Sequence, residues 1–304
     1  MADDVLTQQT TRAVTLPKVS SARRQRIIGR TALYVLAIVA SLVFMWPFAW
    51  TVFSSLKTPS ELYNYPPSWL PKNPQPQNYV EIFQVASYGT WMMNSVYVAS
   101  FTTIGAVLSA ALVGYSFARF RYPGRDLIFL LTLSTLMLPG EVTIIPLYLL
   151  FNKIGWLDTY KPLIVPSFFG GGAFLIFLMR QFFMTIPRDL DEAARMDGAS
   201  YWRVFWQIIM PLSLPALATA AILNFLAEWN SFLYPFIILN DKDKYTIAIG
   251  IKYFQEIAYN LDSMEPRENL LMAASIVMTL PIILIFFVAQ RYFVRGIVMS
   301  GIKG

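Results

Sequence analysis

The sequence predicts an all-α integral membrane protein with six transmembrane helices and one long cytoplasmic loop. Three observations carry this. Hydrophobic residues make up 56% of the 304, and charged residues only 14%, where a soluble domain carries about 25%. Apolar runs long enough to cross the roughly 30 Å hydrocarbon core recur six times. Lys and Arg concentrate in alternate loops.

In chain order the runs are 31–53, 92–118, 127–151, 163–183, 212–239 and 270–294. The third contains Pro139 and Pro146, and the fifth Pro235. Proline removes a helical hydrogen bond, so kinks or unwound turns are expected there. Neighbouring helices can re-satisfy the freed carbonyls. In the second run Ala106, Ala110 and Gly114 are four residues apart, with Gly105 and Ser109 beside them. Such a stripe lets helix backbones approach closely. Ordinary packing is the expectation, with a partner subunit across it as the alternative.

Orientation follows from the cations. Arg12, Lys18, Arg23, Arg24, Arg26 and Arg30 precede the first run. Arg119, Arg121 and Arg125 follow the second. Arg180 near the end of the fourth joins Arg188, Arg195 and Arg203 after it, and Arg291, Arg295 and Lys303 end the chain. The opposite loops hold only Lys57, Lys72, Lys153, Lys161, Lys242, Lys244, Lys252 and Arg267. Both termini are therefore expected in the cytoplasm. The pI of about 9.4 then reflects topology, not nucleic acid binding. Residues 1–29 read as a cytoplasmic tail, with a short helix after Pro17, and residues 30–304 as the transmembrane domain. The tail has the charge of a signal-peptide n-region. The run behind it is too long for an h-region, so the first span reads as retained.

The outer loop 57–88 holds Pro59, Pro66, Pro67, Pro71, Pro74 and Pro76, which resist regular structure. Tyr63, Tyr65, Trp69 and Tyr79 suit the membrane interface. It reads as an interfacial cap or as a docking surface for an external partner.

The chain has no Cys and no His. That excludes disulfides, thiol or imidazole catalysis, and Cys or His metal ligands, so no metal site is expected. No G-x-x-x-x-G-K-[ST] phosphate loop occurs either. Any ATP must be handled elsewhere, and an enzyme reading is not supported.

The cytoplasmic loop 188–211 is the most informative stretch. Pro187 ends the fourth run. Asp189 can cap a helix with Glu192 three residues on, as in a capping box. Gly198 is the expected stop. A second, aromatic helix then runs from near Ser200 to Pro211. By itself this describes a helical hairpin that links two spans. Its pattern also resembles the EAA loop of ABC-importer permeases: Glu192-Ala193-Ala194, then Gly198, then Ile208 and Pro211, all in register. Met210 stands where that family usually has Leu.

The resemblance extends along the chain. Asn94-Ser95, Tyr115-Ser116-Phe117-Ala118-Arg119-Phe120, Pro139-Gly140, Phe177-Leu178-Met179-Arg180 and Trp229-Asn230 fit the same family. The sequence is similar to the smaller, six-span permease of carbohydrate uptake systems. That resemblance implies a second permease, two ATPase subunits that bind ATP and Mg, an external solute-binding protein, and a sugar-like solute. This chain would bind no cofactor of its own. The EAA helix would sit in a cleft of the ATPase, coupled through Glu192, Ala193, Ala194, Asp197, Gly198, Ile208 and Pro211. The tail 301–304 would also touch the ATPases. A bacterial-type inner membrane would be the location.

Glu141 and Glu228 fall inside apolar runs, where an ionisable residue suggests function by default. With Asn94, Tyr148, Asn224, Trp229, Asn230 and Tyr234 they form the candidate solute pathway, because carboxylates, amides and aromatic faces suit a sugar. Glu141 could instead satisfy backbone groups at the Pro139-Gly140 kink, and Glu228 could pair with a partner subunit. The alternative functions are an ion-coupled secondary transporter with the two glutamates as ion carriers, and a channel or structural subunit.

Overall fold

A computed structural model describes the backbone of residues 19–258 and 267–300, and the side chains of 27–256 and 267–288. Residues 1–18 and 301–304, with the expectations attached to them, lie outside the described part. The chain divides into two units, Met1–Trp50 and Thr51–Gly304. In the first, helix begins at Val19, so the latter part of the expected polar tail is helical. That helix runs on past Trp50, and its apolar stretch Ile27–Ser55 is 29 residues with a mean hydropathy of 2.1.

The described residues are predominantly helical. Four helices are long and apolar enough to cross a membrane, and up to six if each of two bent pairs counts as one span. The chain is thus a multi-pass membrane protein. The four are Ile27–Ser55, Tyr88–Arg119, Lys161–Thr185 and Glu268–Val288. The bent pairs are Arg125–Met137 with Gly140–Lys153, at 97°, and Tyr201–Leu212 with Leu214–Trp229, at 77°.

The Tyr88–Arg119 helix is the axis of the second unit. Its small residues pack within this chain. Ala106, Val107, Ala110 and Ala111 join Leu175, Ile176 and Met179 from the Ala173–Thr185 helix, and Ala216 and Ala220 from the Leu214–Trp229 helix, in one buried cluster. At its other end Tyr88 and Trp91 pack with Ile247, Phe254, Leu270 and Ala273. The Trp91 indole donates to Lys242 O at 2.8 Å.

Three spans differ from the sequence reading. The third unwinds at Pro139, one of the two expected outcomes, with a 97° bend between its halves, but Pro146 sits within the Gly140–Lys153 helix without ending it. In the fourth, a 3-10 turn over Val165–Phe168 gives way to three consecutive glycines with positive φ: Gly170 at 113°, Gly171 at 66° and Gly172 at 86°. Only then does the Ala173–Thr185 helix start. The fifth breaks over residues 230–232, ahead of Pro235, and Pro235 lies inside the short Leu233–Ile238 helix. Leu214–Trp229 is 16 residues long, a rise of about 24 Å, so the short helix extends a segment that is otherwise too brief. A further helix, Ile247–Ala258, lies where the sequence reading placed no element.

The loops that follow the Gly140–Lys153 and Leu233–Ile238 helices are tied together. Asp158 accepts from the backbone N–H groups of Asn240 and Asp241, both at 3.0 Å, and from Lys244 at 2.6 Å. Burial pushes its carboxyl up, but these donors outweigh that and hold it below the usual range.

Candidate functional site

Two places gather the candidate residues. The first is the loop after the Ala173–Thr185 helix. Asp189–Met196 forms a two-turn helix with Asp189, Asp191 and Glu192 in its first turn, where acids complement the helix dipole. The expected capping box is not formed. Arg188 occupies the N-cap with helical φ and ψ and no side-chain cap bond. Asp189 is therefore already inside the helix, one residue too far on to cap it.

The C-terminal stop is as the sequence suggests. Gly198 adopts φ +82°. Its N–H reaches Arg195 O at 3.0 Å, and the Ala199 N–H reaches Ala194 O at 3.0 Å. These two bonds make a Schellman motif, which requires a left-handed residue at this position. Ser200 then caps the next helix, its hydroxyl accepting from the Arg203 N–H at 3.3 Å. That helix passes through a π-helical turn at Phe205–Ile209 and bends at Ser213.

One face of the short helix is anchored to the membrane scaffold. Arg119, at the end of its helix, pairs with Asp191 at 2.9 Å, and both side chains are largely buried. Arg119 also donates to Ile186 O at 3.0 Å, and Arg188 to Ala118 O at 3.3 Å. Ala194 and Ala199 pack on the main cluster. Burial raises the Asp191 carboxyl, with Arg119 opposing. The Arg195 guanidinium lies 3.9 Å from the Tyr201 ring centre. The other face is bare: Glu192, Ala193, Asp197 and Gly198 are exposed, and Met196 is 89% exposed. Ile208 is half-buried and Pro211 exposed, in the following helix.

Breaking the anchor should be costly. Arg119→Met strands a largely buried carboxylate, a loss of about 3 kcal/mol. The expected result is a lower melting temperature, partly restored by adding Asp191→Asn. A double variant no more stable than Arg119→Met would count against the pair.

The second place is a cavity of about 650 Å³ within the second unit. All three breaks reach it: Gly140 at the first, Gly171 and Gly172 at the second, Ser231 and Phe232 at the third. Irregular backbone at membrane depth is tolerated where it is buried in protein or lines such a space. Glu141, Asn224, Glu228 and Tyr234 line it together, with Thr143 and Ser167. The Asn224 amide donates to Thr103 Oγ1 at 3.2 Å. Among the described residues, no side-chain hydrogen bond or ion pair engages either glutamate.

The other sequence candidates lie elsewhere. Asn94 clamps the loop ahead of the Ile247–Ala258 helix, donating to Asp243 O at 2.8 Å and Tyr245 O at 3.0 Å. Trp229 is 1% exposed and stacks on Phe225. Asn230 turns back to Leu226 O at 2.7 Å. Tyr148 packs beside Phe151, Leu163 and Ile238. Sequence reading missed the glycine break. The run Gly170-Gly171-Gly172 inside an apolar stretch was its signal.

Comparison with known proteins gives this geometry its setting. Residues 106–299 match the family described as binding-protein-dependent transport system inner membrane component. The arabinooligosaccharides transport system permease protein AraQ of Bacillus subtilis is 34% identical over 280 residues, 91% of this chain and 97% of that protein. The diacetylchitobiose uptake system permease protein NgcG of Streptomyces coelicolor is 34% identical over 283 residues, 93% and 90%. In three dimensions the chain resembles one from the crystal structure of a bacterial ABC transporter involved in the import of the acidic polysaccharide alginate. The TM-score is 0.77 at 24% identity, over 89% of this chain and 98% of that one. The broken spans and the displayed helix thus sit in a known transport fold, and the chain belongs to the binding-protein-dependent transport system inner membrane components, as a permease subunit and not an enzyme.

Proposed function

We propose that this chain is one of two permeases in an ATP-driven importer of a saccharide, with six spans and both termini in the cytoplasm. Each bent pair then counts as one span. The loop cations Arg119, Arg188, Arg195 and Arg203 lie on the cytoplasmic side, as the positive-inside rule requires. The Asp189–Met196 helix docks into an ATPase subunit that binds ATP and Mg. An external binding protein delivers the solute, and the cavity at the three breaks is this chain's share of its path. Relatives named for arabinooligosaccharides and diacetylchitobiose support a saccharide.

The observation that carries the reading is the two-sided short helix. Its inner face is fixed to the scaffold through Arg119–Asp191, and its outer face is bare. A rigidly mounted, uncovered helix transmits a push between a docked partner and the spans.

The lack of cysteine makes the test clean. Met196→Cys introduces a single thiol. Expected is a thiol cross-link to a co-expressed ATPase subunit, and protection of that thiol from labelling when the ATPase is present. A thiol equally reactive with and without the ATPase would sink the docking role.

Glu228→Gln should lower the rate of uptake severalfold while the complex still assembles. Wild-type uptake kinetics in this variant would remove Glu228 from the path.

A further inference from the structure

The Gly140–Lys153 helix carries one wall of the cavity and is lightly held. Glu141, Thr143, Ile144 and Leu147 line the cavity from it, and Phe151, near its far end, is its only buried residue. Its near end follows the break at Pro139. Among the described residues, every hydrogen bond that joins segment 140–159 to a distant part of the chain runs through Asp158.

Four bonds meet on that residue. Its Oδ1 accepts from the N–H groups of Asn240 and Asp241, its Oδ2 accepts from Lys244, and its own N–H donates to Ile238 O at 2.9 Å. Asp158 is also the one non-glycine residue at positive φ among those described, at +55°. A side chain is strained there and persists where its surroundings over-determine it. The loop that it grips is itself fixed. Trp91 donates to Lys242 O, Asn94 to Asp243 O and Tyr245 O, and Ser95 Oγ accepts from the Ile247 N–H at 2.6 Å. All three residues belong to the Tyr88–Arg119 helix. A chain of bonds therefore runs from the central helix, through loop 239–247, to Asp158 and the cavity wall. Tyr148 and Phe151 add apolar contact with Leu163 and Ile238. Such contact resists separation but has no direction. Hydrogen bonds have one, and those to a charged group are the stronger kind.

We propose that Asp158 is a positioning residue for transport: its carboxylate fixes the far end of the Gly140–Lys153 helix to the scaffold and so sets where one wall of the cavity stands. The proposal rests on the importer reading above and adds the residue that aims this part of the path. A wall held only by apolar packing would wander about its far end, and its free end at Gly140 would move most. Asp158→Ala removes all three acceptor contacts. Asp158→Asn keeps an oxygen for the two N–H groups and tolerates the left-handed backbone, but loses the charge opposite Lys244.

The test uses the assembled importer. Lys153→Cys and Lys252→Cys, both exposed, take spin labels on the wall and on the Ile247–Ala258 helix, and the chain has no other thiol. Expected is one narrow distance distribution with Asp158 present. In Asp158→Ala its width should at least double, and Asp158→Asn should fall between. In unlabelled complexes ATP hydrolysis is measured with and without the importer's own solute-loaded binding protein. In Asp158→Ala the stimulation should fall about fivefold or more, the lower end of an ordinary coupling between sites, while the basal rate is kept. A distribution that stays narrow in Asp158→Ala would overturn the proposal, as would a wider one with full stimulation. Basal and stimulated rates that fall together with the melting temperature, in the asparagine variant as well, would show a folding defect and also overturn it. A wild-type complex that hydrolyses no ATP would overturn the importer reading, and the role in transport with it.

Discussion

Gly171→Val is expected to abolish accumulation of the folded protein. Two independent costs act at this position. Gly171 adopts φ +66°, a region that costs a side chain with a Cβ about 1–2 kcal/mol. A Cβ there would also overlap the Ala106 carbonyl oxygen and lie 3.0 Å from the Ala110 Cβ. Those atoms belong to the buried face of the Tyr88–Arg119 helix. Overpacking such a contact adds about 1–3 kcal/mol. Together these come to about 2–5 kcal/mol, which at the upper end equals the whole stability of a marginal protein, about 5 kcal/mol. The check is the yield of monodisperse protein in detergent, and its melting temperature, against wild type. Gly172→Val is the control. Its φ is +86°, but its Cβ would meet nothing within 4 Å, so it should be milder. Equal behaviour of the two would mean that strain alone matters and that the close approach to Ala106 does not.

Gly198→Val is expected to leave assembly intact and to reduce uptake at least tenfold. The same conformational strain of about 1–2 kcal/mol applies at φ +82°. Nothing lies within 4 Å of a Cβ at this exposed turn, so the cost is confined to the loop. The Schellman motif would loosen, and the Asp189–Met196 helix would lose its defined end. A docked partner would also meet an isopropyl group where it met none. Gly198→Asn separates these effects, because asparagine tolerates the left-handed region. It should retain more uptake than valine. Melting temperatures within a few degrees of wild type would show that the spans are unaffected. Wild-type uptake in Gly198→Val would count heavily against a coupling role.

The sequence made some of this legible because the signals are local. Apolar runs of spanning length mark the helices, and Gly198 marks the end of the displayed helix. What escaped was non-local or depended on exact register. The capping box fails because Arg188, not Asp189, sits at the helix boundary, a one-residue matter that spacing does not resolve. Asn94 looked like a pathway residue. Its amide instead holds the carbonyls of Asp243 and Tyr245, about 150 positions away, a pairing invisible in the chain order. Trp229 beside Glu228 suggested one site, but a helix turns about 100° per residue. The indole therefore points into the cluster with Trp91 and Leu270, and the carboxylate into the cavity. The meeting of Glu141, Asn224, Glu228 and Tyr234 depends on three separate helix breaks converging, which periodicity along one segment does not encode.

The most direct test of the importer reading is gentle detergent purification of this chain with its native neighbours, followed by an ATPase assay. The account predicts that a second permease and ATP-hydrolysing subunits co-purify, and that the solute-loaded binding protein stimulates hydrolysis. A chain that purifies alone or as a homo-oligomer, without ATPase activity, and that moves solute on an ion gradient would contradict it.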